Sequence, residues 1–303
     1  MRPFFSVIIP TYNQGIFLEK CLNSVTEQTF RDFEIIVIDN NSSDNTKGII
    51  KKFKKRIIYK KIRNQGVIAK SRNYGIRISK GKWISFLDSD DKWEKNKLKI
   101  TYAKIKKNDF DVICNSEWIL KDKVTKIWIY GPYRKNFYER MIKYGNHLST
   151  SASTVKSDFI KKNNIYFREN KTFTTSEDYD FFLNIANKSG KFFFVSKPLG
   201  YHYFHDKSLS FKNSKHEKAI YAVLKNHIFK IQSFSNDKKK LWSLTKSNIE
   251  LKNNIVKITR FKPEFKKIFK LIMSIVKRPA ISFNLILIIL LRKIKETILY
   301  YFY

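Results

Sequence analysis

The sequence predicts a doubly wound α/β domain followed by a basic, mainly helical extension. Three observations predict it. Short apolar runs alternate with segments of helical periodicity over the first ninety residues, these runs end in clusters of polar residues, and the composition turns basic and amphipathic beyond about residue 216. Strands that are apolar on both faces need cover on both faces, as in a parallel sheet wrapped by crossover helices. Right-handed βαβ units then give the doubly wound arrangement.

The run FFSVIIP (4–10), stopped by Pro10, reads as the first strand, and GIFLEKCLNSVTEQ (15–28) as the first helix. FEIIVIDN (33–40) and NTKGIIKKFKK (45–55) repeat the pair, then come a strand at 57–62, a helix at 67–80 and the strand KWISFLD (82–88). Further on, DVICNSEWIL (111–120) and KVTKIWIYG (123–131) read as two strands around a turn at Lys121 and Asp122. Helical stretches follow near 136–144, 155–163 and 178–188, and FFFVSKPLGYHYF (192–204) reads as a late strand. The stretch 92–176 otherwise carries no pattern that assigns a function.

Composition bounds the function classes. A chain of 303 residues holds one large domain, or one with a smaller appendage, and 43% hydrophobic residues is ordinary for a globular protein. The net charge of +35 favours an anionic partner: phosphate-bearing substrates, an anionic membrane surface or nucleic acid. No helix-turn-helix, RNA-recognition or zinc-finger signature accompanies the charge, so a nucleic-acid partner is not expected. Cys21 and Cys114 are too few for a disulfide framework or a metal knuckle, and read as small core residues in a reducing compartment. No secretory leader is expected, because residues 1–5 run straight into a strand. The apolar run at 280–291 is shorter than the ~20 residues a spanning helix needs.

In open α/β sheets ligands bind beyond the carboxyl ends of the strands. Thr11, Tyr12 and Asn13 follow the first strand, Asp39, Asn40 and Asn41 the second, and FLDSDDKW (86–93) puts Asp88, Asp90 and Asp91 at the end of the fourth. Carboxylates on a tight turn suit a hard cation, and Mg²⁺ or Mn²⁺ with a diphosphate completes such a site. Alone, an Asp-rich turn is more often a solvated loop or a helix cap; the two neighbouring polar strand ends raise it above that.

The segments SVIIPTYNQGIFLEKCLNSVTEQTFRDFEIIVIDNNSSDNT (6–46), NQGVIAKSRNYGIRISKGKWISFLDSDD (64–91), TSEDYDFFLNIA (175–186) and YHYFHDKSLS (201–210), in this order, resemble the conserved blocks of family 2 inverting glycosyltransferases with the GT-A fold. The resemblance covers roughly residues 4–210 and implies a GT-A domain over 1–215 with a helical basic region over 216–303. It implies donor contacts from Pro10, Thr11, Tyr12, Asp39, Gly66, Arg72, Asp88, Ser89 and Asp90, with Thr11, Tyr12 and Asp39 at the base and ribose of a UDP-sugar and Arg72 at the nucleotide or its phosphates. It implies Mn²⁺ or Mg²⁺ held by Asp90 or Asp91 with His205, contacts to acceptor or phosphate from Glu177 and Ser208, and Asp178 as the general base. Read without the family, Glu177 and Asp178 are first-turn acids of a helix, placed favourably on its dipole. His147, His202, His216 and His227 keep the default of structural hydrogen bonds.

From 217 to 303 the chain holds 19 Lys/Arg against 5 Asp/Glu, and Ile258, Phe261, Phe265, Ile268, Phe269, Ile272 and Val276 recur at helical spacing between lysines. Such a segment reads either as a membrane-surface element or as a helical cap on the α/β domain. The expected activity is metal-dependent transfer of a sugar to a glycan or lipid-linked saccharide, at the cytoplasmic face of the membrane. A catalytically silent partner of a glycan-assembly complex is the alternative, but it predicts loss of the strand-end acids, which are present.

Overall fold

A computed structural model of the chain describes residues 2–121, 124–203 and 213–260. Along it run β1 (Phe5–Thr11), α1 (Gly15–Thr26), β2 (Phe33–Asp39), α2 (Thr46–Phe53), β3 (Ile58–Lys61), α3 (Ile68–Ile78), β4 (Trp83–Phe86), β5 (Lys92–Trp93), α4 (Lys97–Lys107), β6 (Val112–Lys121), β7 (Val124–Trp128), α5 (Phe137–Tyr144), β8 (Ser153–Lys156), α6 (Ser157–Lys162), α7 (Glu177–Asn187), β9 (Phe192–Tyr203), α8 (Asn213–Asn226) and α9 (Lys238–Arg260). His205 and Ser208, the run at 280–291 and the amphipathic pattern beyond 260 lie outside the described residues.

Among the described residues the nine strands form one sheet of order β3-β2-β1-β4-β8-β6-β9-β5, with β7 on β6. The β3-β2-β1-β4 half is parallel throughout, as its doubly apolar strands require. Register sets Thr11 opposite Asp39, so β1 and β2 end side by side. The second half departs from the parallel pattern. β8 runs antiparallel to both β4 and β6, β5 runs antiparallel to β9, and β6 and β9 pair in parallel. A four-residue strand, STVK, carries too little apolar alternation to read as β8, and the two-residue β5 exists only through β9.

The core of the parallel half is aliphatic, built from Val7 and Ile9 of β1, Ile35 and Val37 of β2, and Leu18, Leu22 and Val25 of α1. On the side that bears the site the contacts are aromatic. Phe86 ends β4 just before the acidic turn, Phe181 lies one turn into α7, and Phe167 stacks on Phe181 at 4.1 Å. Phe86 meets Phe167 and Phe181 edge-on at 5.2 and 5.8 Å. This buried trio fixes the end of β4 against the start of α7.

The chain divides into two compact units, one of Met1–Tyr133 with His147–Val223, the other of Arg134–Asn146 with the chain from Leu224 on. In the second, α5 packs on α9, the Asn248 amide donates to Lys143 O at 3.1 Å, and Tyr138 Oη meets His227 Nδ1 at 2.9 Å. Among the described residues no helix is long and apolar enough to cross a membrane.

Replacing Phe181 by Ala removes the centre of the aromatic trio. The expected loss is about 3–5 kcal/mol of unfolding free energy, measured by urea denaturation.

Candidate active site

The loops after β1 and β2 are laced together by their short polar side chains. Asn13, in the left-handed region at φ 50, receives Ser43 N at 2.8 Å and gives its own N–H to Ser42 Oγ at 2.9 Å. Asp44 accepts from Gly15 N and Thr46 N, tying the starts of α1 and α2 to one carboxylate. Asp39 is buried beneath these loops and accepts from Ser42 N, Ser42 Oγ and Tyr59 Oη, the last at 2.7 Å. Thr11 Oγ1 beside it is a buried hydroxyl without a hydrogen-bond partner.

Above them opens a cleft of about 350 Å³ lined by Tyr12, Asn40, Asn41, Arg63, Gln65 and Gly66. The turn into α3 makes its far wall: Gln65 and Gly66 both have positive φ, and Gly66 at φ +76 leaves open space where a side chain would stand. Asn64 braces that turn by donating to Ser71 Oγ and accepting from Gly66 N.

The acidic turn has an inner and an outer side. Asp88 and Asp90 are part-exposed, whereas Ser89 and Asp91 are buried. Ser89 hydrogen-bonds Gln14, whose amide also reaches Asp90 at 3.4 Å. Asp91 accepts from Ser151 Oγ at 2.5 Å, from His202 Nδ1 at 3.1 Å and from Tyr203 N at 3.2 Å, so both its oxygens are committed to the protein. Burial pushes the Asp91 carboxyl above its usual range, against the pull of His202. Burial works against a charged imidazole too, yet the Asp91 carboxylate outweighs it and holds His202 up at about 10.

Arg72 of α3 joins this turn to the start of α7. Its Nη2 donates to Asp88 Oδ1 at 2.7 Å and its Nη1 to Glu177 Oε1 at 2.6 Å, with the Arg72 side chain 4% exposed and that of Glu177 6%. Burial lowers a guanidinium's pKa, but the charges of Asp88 and Glu177 more than offset it and raise the group further. Glu177 Oε2 accepts in turn from Thr175 N at 2.8 Å. Thr175 sits at φ 84, a conformation that costs a β-branched residue on the order of 1–3 kcal/mol and persists only where its surroundings over-determine it. Asp178, next on α7, is part-exposed. Burial first, then the charge of Glu177, push its carboxyl up to about 7, against the pull of Arg72. A carboxyl poised there exchanges protons near neutral pH.

Among the described residues no three His, Cys, Asp or Glu side chains converge as a ready-made metal cage. Asp88 and Asp90 instead offer part-exposed carboxylates on one turn, and a cation that keeps its waters and shares phosphate oxygens needs only one or two of them. That donor set fits Mg²⁺ or Mn²⁺.

The sequence model of glycosyl transferase family 2 matches residues 6–199. The chain belongs to this family. Among family relatives, the Escherichia coli enzyme named UDP-Glc:alpha-D-GlcNAc-diphosphoundecaprenol beta-1,3-glucosyltransferase WfaP is 35% identical over 61% of this chain and 71% of its own. The Staphylococcus aureus poly(ribitol-phosphate) beta-N-acetylglucosaminyltransferase TarP is 40% identical over 36% of this chain, a match that spans only 35% of TarP. Crystalline S. aureus TarS 1–349, solved with UDP-GlcNAc, superposes with a TM-score of 0.68 at 22% identity, over 89% of this chain and 79% of that one. The fold is accordingly the GT-A architecture expected from the sequence.

Within this family 2 domain the described residues of the expected site fall into two groups. Tyr12 and Gly66 line the open cleft, and Asp88, Asp90 and Asp178 are part-exposed. Pro10, Thr11, Asp39, Arg72, Ser89, Asp91 and Glu177 lie beneath them, where they hold the loops and each other. The sequence reading assigns no role to Arg63, Gln14 or Ser151, and to His202 only a structural hydrogen bond. Gln14 and His202 fall inside the family-like blocks and Arg63 lies one residue before the second; Ser151 and His202 reach Asp91 only through the folding of β8 and β9 around the turn.

The turn gives a direct test. Asp91→Asn disturbs the hydrogen bonds a buried carboxylate accepts from Ser151, His202 and Tyr203 and should lose about 1–3 kcal/mol of stability, while Asp90→Asn, on the outer side, loses much less. Chemical denaturation of both variants reads the difference.

Proposed function

We propose that the chain is an inverting, metal-dependent glycosyltransferase that moves a hexosyl or N-acetylhexosaminyl group from a UDP-sugar to a hydroxyl of a glycan or lipid-linked saccharide. The observation that carries this reading is the continuous ionic chain from Asp88 through Arg72 to Glu177, with Asp178 beside it held near neutral pKa. It joins a diphosphate-side carboxylate and a base within one site. The cleft between Tyr12 and Gly66 suits a nucleotide, and the TarS complex with UDP-GlcNAc and the UDP-Glc specificity in the name of WfaP support uridine donors.

In this reading Tyr12, Asn40 and Asn41 receive the base and ribose, while Thr11 and Asp39 support them from below. Arg63, on the cleft wall, is the cation available to the nucleotide, since Arg72 is spent on its two carboxylates. Asp88 and Asp90 would hold Mn²⁺ or Mg²⁺, which when bound neutralises the diphosphate and eases its departure. Asp91 we assign to anchoring the turn, because its oxygens are already committed. The acceptor hydroxyl attacks the anomeric carbon from the face opposite the diphosphate, and Asp178 takes its proton. The bond from the anomeric carbon to the diphosphate oxygen breaks, its electron pair leaves on UDP, and the configuration inverts.

The acceptor class rests on the names of WfaP and TarP, a diphosphoundecaprenol-linked sugar and a poly(ribitol phosphate). Both are anionic, as suits a chain of net charge +35. A lipid-linked acceptor would place the enzyme at the cytoplasmic face of the membrane, held peripherally by its basic C-terminal region; flotation of the full chain with anionic but not neutral vesicles would support this.

Asp178→Asn should keep UDP binding, read by calorimetry, and lower turnover by about 10²–10⁴-fold; unchanged turnover rules out the base. The base works ionised, so raising pH through about 7 populates the active form. Wild-type kcat/KM should fall about tenfold per unit below pH 6 and level off above pH 8. In the same assay Asp90→Ala should raise the Mn²⁺ concentration needed for half-maximal turnover.

A further inference from the structure

The strained Thr175 turn has a second support, on a helix outside the recognised catalytic blocks. His216, in the first turns of α8, sets Nδ1 2.9 Å from Thr175 O and 3.3 Å from Ser176 Oγ. A carbonyl oxygen only accepts, so the Nδ1 of His216 carries the proton and donates. Burial lowers the His216 pKa. Thr175 is thus gripped on both of its peptide groups: its N–H by Glu177 Oε2 at 2.8 Å and its C=O by His216. Ser176 N, bonded to Phe173 O at 2.8 Å, holds the turn from the preceding side.

These bonds have a direction. Glu177 receives Arg72 on one oxygen and the Thr175 N–H on the other. If Thr175 relaxes to negative φ, its N–H rotates away from Glu177, and the first turn of α7 loses the bond that orients Glu177 and Asp178. A left-handed threonine reverts unless held, and His216 holds the end of it that Glu177 does not reach. We propose that His216 is a positioning residue for the reaction, keeping Thr175 in its left-handed conformation and thereby aiming the Glu177–Asp178 start of α7. The proposal rests on the assignment of Asp178 as base, but its structural half stands apart from it.

The test uses the full-length protein with His216→Ala and His216→Asn, since an Asn amide N–H can take the place of Nδ1–H toward the Thr175 carbonyl. Two readouts are taken. The first is hydrogen exchange of the peptide spanning 174–180, without substrate: His216→Ala should exchange there faster than wild type while the rest of α7 and the β-sheet keep their protection, and His216→Asn should restore it. The second is steady-state transfer with a UDP-sugar. His216→Ala should lower kcat about 10- to 100-fold, the scale of a small misplacement of a reacting group, with donor KM unchanged and His216→Asn recovering most of the loss. Unchanged exchange at 174–180 overturns the proposal whatever the enzyme does. So does an equal loss of protection across the whole domain in both variants, which marks His216 as general packing. Altered exchange with unchanged kcat overturns the positioning role. Failure of Asp178→Asn to lower turnover, with the exchange result intact, removes the base assignment and leaves the Thr175 support standing.

Discussion

A guanidinium stays charged when it is buried, so the water it loses has to be replaced by acceptors, carboxylates above all. Arg72 meets that condition with two acids from different parts of the chain, Asp88 on the turn after β4 and Glu177 at the start of α7. The arrangement constrains both. Displacing either carboxylate leaves the buried cation with one partner in place of two, so the turn after β4 and the start of α7 are tied together. The Phe86–Phe167–Phe181 trio adjoins the same junction, with the Arg72 guanidinium 5.2 Å from the Phe167 ring.

The rest of the site follows from that constraint. With Arg72 paired to its carboxylates, the proposed mechanism assigns nucleotide contact to residues on the cleft wall, Arg63 among them. With Glu177 engaged by Arg72 and Thr175, the proposed mechanism gives proton transfer to Asp178, which is part-exposed and raised toward neutral pKa by burial first and then by the charge of Glu177. A comparable division operates within the acidic turn. Asp91 faces inward to His202 and Ser151, which holds the turn in shape, while Asp88 and Asp90 stay accessible.

How much of this was legible in the sequence depends on whether the cause is local. Strands β1, β2 and β4 are legible because a doubly apolar run has few other uses, and Thr11, Asp39 and Asp88 because a polar cluster ends each run. The opening of α7 at Glu177 and Asp178 is legible from its first-turn acids. β8 and β5 are not, since STVK and KW become strands only when neighbours supply the ladder. Nor is the division of roles among the acids. Asp88, Asp90 and Asp91 are chemically equivalent in sequence, and what separates them is His202, more than a hundred residues away. The same holds for His202 and His216: the structural bond that a lone histidine makes by default is what they form, but only the fold reveals that their partners are Asp91 and the turn before α7.

The dependence of the site on Arg72 is tested most directly by a double-mutant cycle on transfer, combining Asp88→Asn and Glu177→Gln, two residues that share Arg72 as a partner. Residues linked through one ionic network couple by about 0.5–3 kcal/mol, whereas independent sites add to within about 0.5 kcal/mol. The account predicts a coupling of at least about 1 kcal/mol in the activation free energy from kcat/KM, and losses that simply add would contradict it.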